Sequence, residues 1–84
     1  MSTKNTHDWR ADALFNEVID WCGCPFLFSH TFGDDERAKI SDMIYERNPE
    51  VLREGARLPA PRRHLLQYMI YDILLELGYR ESDM

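Results

Sequence analysis

The sequence has no apolar run approaching the roughly 20 residues that a membrane span requires. Its opening stretch, Met1 to Arg10, is too polar for a signal or transit peptide. The expectation is a cytoplasmic protein. Cysteine is scarce as well: Cys22 and Cys24 have one residue between them, and a bridge would close a short, strained ring with little entropic benefit. No structural disulfide is expected, which suits a reducing compartment. Lysine is nearly missing, since only Lys4 and Lys39 among the ten cations are not arginine. A net charge of −5 disfavours non-specific binding to nucleic acid, which depends on cations that displace counterions from phosphates. Internal repeats and low-complexity tracts are absent from the sequence, and so is any catalytic motif with workable geometry.

What is present is an ordinary globular composition, 44% hydrophobic and 30% charged, in 84 residues. A chain that short buries only about two-thirds of its unfolded surface and has room for one core. A single domain over 1–84 is expected, with 1–6 flexible and 79–84 frayed. The segment Asp8 to Trp21 carries Leu14, Phe15, Val18, Ile19, Trp21 and Cys22 at the spacings of a buried helical stripe, started by Thr6 or Asp8. Gly23 and Pro25 interrupt it, and Cys22 to Gly33 becomes an unusually apolar connection. Asp34, Asp35 and Glu36 place negative charge where a helix start favours it, with Ala38, Ile40, Met43 and Ile44 following to Arg47. Asn48 and Pro49 predict a cap and first turn for a short helix from Pro49 to Glu54, closed by Gly55. The stretch 56–61, with two prolines, reads as a stiff linker. A last helix from Pro61 to Leu77 is apolar on most sides and needs partners on more than one face. The fold class is all-α: a compact small helical bundle of three main helices plus one short helix, with the first two long helices packed around the last.

Four groups of residues invite a chemical reading. Cys22, Cys24 and His30 offer the ligand types zinc prefers, but structural sites place two to four residues between paired cysteines. No metal or other cofactor is expected, and Cys22 reads as a small core hydrophobe. Cys24 with His30 or His64 forms no evident nucleophile and base. The acids Asp34, Asp35 and Glu36 are adjacent on a helix and do not face one another as a catalytic pair would.

More suggestive is the cluster Arg53, Arg57, Arg62, Arg63 and His64, which gathers half the arginines around the linker. Arg62 and Arg63 stand at a helix start, where cations are disfavoured by a few tenths to about 1 kcal/mol. That placement suits an anion or acidic-partner site, or a solvated edge neutralised by acids such as Glu50 and Glu54. The fourth group, Phe26, Leu27, Phe28, His30 and Phe32, either caps the core or presents aromatic anchors to another molecule.

By elimination the sequence points to a non-enzymatic protein–protein interaction module. Its size and acidity suit a small regulator or inhibitor of bacterial or phage type that binds a larger protein. The contact residues are expected among Phe26, Phe28, Phe32, Arg53, Arg57, Arg62 and Arg63. A nucleic-acid-associated regulator using Arg53 to Arg63, or a zinc-stabilised module on Cys22, Cys24 and His30, are the alternatives. Monomer and homodimer are both compatible with the apolar last helix.

Overall fold

The computed structural model describes residues 7–24, 27–53 and 61–81. Among them a 3-10 turn, Trp9–Ala11, leads into α1 (Ala13–Cys22), α2 (Asp34–Arg47), the single-turn α3 (Pro49–Leu52) and α4 (Arg62–Glu76), without a strand. The described chain is all-α, three main helices and one short one. α4 touches each of the other three helices, as its broadly apolar surface requires. The expectations for residues 1–6, for Thr6 as a cap, for Phe26, for Glu54 and Gly55, for the linker with Arg57, and for 82–84 lie outside the described residues.

The boundaries differ from the periodicity where a side chain decides them. α1 begins five residues later than expected because Asp12 is its cap: its carboxylate accepts the Phe15 N–H at 3.1 Å. Asp8 precedes the 3-10 turn instead and caps nothing with its side chain. The Asn16 amide locks that turn onto α1 by donating to the Trp9 carbonyl at 2.7 Å and the Asp12 carbonyl at 3.0 Å. α3 stops at Leu52, where Arg53 turns extended, and Asn48 makes no side-chain cap to it. α4 ends as its glycine predicts. Gly78 sits at φ +99°, Tyr79 N–H donates to the Leu74 carbonyl at 3.0 Å and Gly78 N–H to Leu75 at 3.2 Å, the paired bonds of a Schellman motif.

The core is built from Phe15, Val18, Ile19 and Cys22 of α1, Ile40 and Ile44 of α2, Val51 and Leu52 of α3, and Leu66, Ile70, Ile73 and Leu74 of α4. Phe28 and Phe32 complete it. Trp21, counted with the apolar stripe of the first helix, lies outside, and so does Leu75 of α4; each is 45% exposed. The loop between α1 and α2 folds back on itself, with the His30 N–H on the Gly23 carbonyl at 3.0 Å and the Leu27 and Ser29 N–H groups on the Cys24 carbonyl. This closure brings backbone so near Gly23 that a Cβ there would lie 2.2 Å from the His30 carbonyl oxygen and 2.9 Å from the Phe32 ring. Only glycine fits that approach.

Candidate functional site

The arginine cluster is the first candidate, and its chemistry begins at Asp12. This carboxylate is 10% exposed and serves three elements at once. One oxygen caps α1, while the other receives the Arg62 guanidinium and lies 3.0 Å from His7 Nε2. The His7 contact is poorly aligned for a hydrogen bond, and burial pushes the His7 pKa down despite the nearby carboxylate. Arg62 also donates through Nε to the Val51 carbonyl at 2.8 Å, pinning the end of α3 to the start of α4. Arg63 pairs with Glu17 of α1.

The acids that neutralise this cluster are therefore Asp12 and Glu17 rather than Glu50. They repay the unfavourable position of two cations at a helix start. Arg53 is exposed with His64, and Arg57 lies outside the described residues. Arg62 and Arg63 are thus brought together with α1, not presented as an open basic patch.

The aromatic loop is the second candidate, and its side chains point inward. Phe28 is 6% exposed and stacks at a tilt on Tyr71 of α4, ring centroids 5.6 Å apart. Phe32 is 4% exposed and forms an edge-to-face trio with His30 and Tyr79, at 4.7 and 5.4 Å. Of the two outcomes open to this segment, core holds for Phe28 and Phe32.

Tyr79, expected at a frayed end, is anchored here. Its hydroxyl donates to Glu36 Oε2, which also lies 2.7 Å from His30 Nε2, and Glu36 Oε1 accepts the Gly33 N–H at 2.9 Å. Burial pushes the Glu36 carboxyl up, but the bonds from Tyr79, Gly33 and His30 together hold it below the usual value. Burial and the Glu36 carboxylate raise the Tyr79 hydroxyl to about 12. Glu36 thus reaches back at α2's start as the glutamate half of a capping box, a role Gly33 has no side chain to reciprocate.

His30 is consequently committed to Glu36 and two rings. Burial, with Cys24 nearby, pushes the Cys22 thiol up to about 12, so the thiol is protonated at neutral pH. Among the described residues no three His, Cys, Asp or Glu side chains converge on a metal position. A groove of about 360 Å³ beside Glu36 and Tyr79, edged by Asp35, Lys39, Leu77 and Gly78, is open to solvent and lacks the enclosing apolar walls of a substrate pocket.

Sequence reasoning missed two things. One is the Arg37 hub on α2, which donates to the Phe32 carbonyl at 3.0 Å, to Asn16 Oδ1 at 2.7 Å and to Asp20, joining the loop to α1. The other is the outer surface. Trp21, Tyr68 and Leu75 are the exposed large hydrophobics among the described residues, Tyr68 at 71%. Trp21 stands on α1, one turn beyond Glu17, and Tyr68 and Leu75 on α4. A solvent-facing tyrosine and leucine seven residues apart on α4 were detectable in the sequence, because its apolar positions exceed what one buried face can take.

No family model, curated protein or solved structure matches the chain. No helix among the described residues is long and apolar enough to cross a membrane.

Proposed function

We propose that this protein is a non-enzymatic protein–protein interaction module, a small regulator or inhibitor that binds a larger protein. The observation that carries the reading is the exposure of three large hydrophobics among the described residues, Trp21 on α1 and Tyr68 and Leu75 on α4, which remain in water although the domain has a complete core. Tryptophan and tyrosine supply large contact area at small entropic cost and dominate the energetics of protein interfaces. The groups that could do chemistry are meanwhile engaged in holding the fold: Cys22 as a buried thiol, His30 on Glu36, Arg62 on Asp12 and Arg63 on Glu17.

The contact surface accordingly moves from the loop phenylalanines to the helices, with Arg53 the arginine of the cluster left exposed among the described residues. A nucleic-acid-associated regulator would need Arg62 and Arg63 free for phosphates, and both are already paired.

The test is affinity capture with the tagged chain from the lysate of its native host, at low and moderate salt, beside a Trp21→Ala variant. One stoichiometric protein retained by the wild type at both salts, and weakened about 30-fold or more by Trp21→Ala, is the expected result for an aromatic anchor. Nucleic acid recovered at low salt alone would overturn the reading in favour of the arginines.

A further inference from the structure

The outer face of α4 has a pattern that restricts what can cover it. Leu65, Tyr68, Asp72 and Leu75 follow at spacings of three, four and three, the a and d positions of two heptads. Tyr68, Asp72 and Leu75 are exposed and Leu65 is half-buried. Opposite them α4 packs Leu66, Ile70, Ile73 and Leu74 into the core, so the helix carries two apolar faces and the fold uses one.

An occupant of this second face must cover two leucines at its ends and satisfy Asp72 near its middle. An apolar helix would desolvate that carboxylate and offer it no donor.

We infer that the occupant is a second copy of this chain, with the two α4 helices antiparallel about a two-fold axis that crosses the outer face midway between Tyr68 and Asp72. In an antiparallel pair, a positions face d positions of the partner. Leu65 then meets Leu75 of the second copy, and Tyr68 meets Asp72, each contact occurring twice by symmetry. The tyrosine hydroxyl supplies the donor that the aspartate requires. The same arrangement sets the exposed His64 at the start of one helix alongside the acidic end of the other, and opposes the two helix dipoles. Parallel pairing would put Asp72 against Asp72 and stack like ends together. Two heptads from one helix bury less than the roughly 1,600 Å² of a standard interface, so the dimer is weak, with a dissociation constant of about 10–100 μM.

This inference rests on the reading of the exposed Tyr68 and Leu75 as protein-contact residues, and names their first partner. The experiment is sedimentation of the full chain from about 1 μM to about 500 μM, a range that brackets such weak association. The average mass is expected to rise from the 10.0 kDa of one chain toward twice that value. Tyr68→Glu and Leu75→Glu, at positions that can change without disturbing the core, are expected to weaken the dimer at least about 30-fold, with helicity by circular dichroism and the melting temperature unchanged at low concentration.

Register is tested with Leu65→Cys and Leu75→Cys chains, each also carrying Cys24→Ser. The antiparallel seam predicts disulfide-linked dimers in the mixture of the two and few in either alone. Single variants that cross-link with themselves would overturn the antiparallel pairing. A wild-type chain that stays at 10.0 kDa throughout the range would overturn the dimer itself. In that event a Trp21-dependent complex with another protein would still uphold the interaction reading, and its absence as well would remove both.

Discussion

The loop between α1 and α2 and the outer face of α4 are both rich in apolar residues, and they end in opposite places. The loop is irregular backbone, the usual setting for binding residues, yet Phe28 and Phe32 are buried. α4 is regular helix in a small bundle, the usual setting for core, yet it holds Tyr68 and Leu75 in water. The difference is geometric. A chain that turns back at Gly23 can aim successive side chains to one side, whereas a helix distributes its side chains around its axis and cannot bury more than the stripe its neighbours cover. Apolar content therefore did not decide which segment was interior; the closing hydrogen bonds of the loop did, through the His30 N–H on the Gly23 carbonyl and the Arg37 guanidinium on the Phe32 carbonyl.

The contrast is broken most severely by truncating one aromatic in each region. Phe32→Ala empties a site packed against Gly23, His30 and Tyr79, and is expected to cost about 3–5 kcal/mol in chemical denaturation, on the scale of buried phenylalanine truncations. Tyr68→Ala, measured at a concentration where the chain is monomeric, should change stability by no more than about 0.5 kcal/mol. Equal costs would mean that the loop and the α4 face are not inside and outside as described.

A smaller effect sharpens the same contrast at the loop's polar edge. Tyr79→Phe keeps the ring against His30 and Phe32 but removes the hydroxyl from Glu36, for an expected loss of about 1 kcal/mol near neutral pH. The pH dependence has a definite sign. Tyr79 is raised above its ordinary value of 10.0 to about 12, so its contribution is present below pH 10 and is lost as pH rises through 12. Glu36 is held below 4.5, so its contribution is present above that pH and fades as pH falls through the lowered folded value. Thermal melts of the wild type should weaken at both extremes, and Tyr79→Phe should flatten the alkaline side. An alkaline limb unchanged in the variant would show that another group titrates there.

Much of the fold could be read from periodicity and end signals. Asp34 to Arg47 was bounded at both ends by the three acids and by Asn48-Pro49, and α4 by Pro61 and Gly78, because these residue types act locally. What escaped was set by contacts distant along the chain. Asp12 reads as a solvent-side acid until Arg62 arrives 50 residues later, and Arg63 reads as free until Glu17 is beside it. Tyr79 reads as tail until Glu36 holds its hydroxyl. The surface met the same obstacle: Trp21 fits the apolar stripe of α1 by spacing, and only the packed structure shows it left 45% exposed. Local signals name helices, while exposure is a property of their packing.

Ser41 is the converse of Tyr68, a polar side chain in the interior of α2, and it gives the smallest effect. It is fully buried and its hydroxyl has no hydrogen-bond partner, so the folded state bears the cost of removing that group from water and recovers nothing for it. Ser41→Ala removes one atom and leaves a small void, while relieving the stranded hydroxyl and improving helix propensity. The expected result in urea denaturation is an unchanged m-value and a gain of about 0–1 kcal/mol. A loss above about 1 kcal/mol would instead mean that the hydroxyl bonds an internal water or the Arg37 carbonyl one turn earlier. The interior beside α2 would then be wetter than its neighbours Ile40 and Ile44 imply, and the distinction between a dry core and a wet α4 face would narrow from the inside.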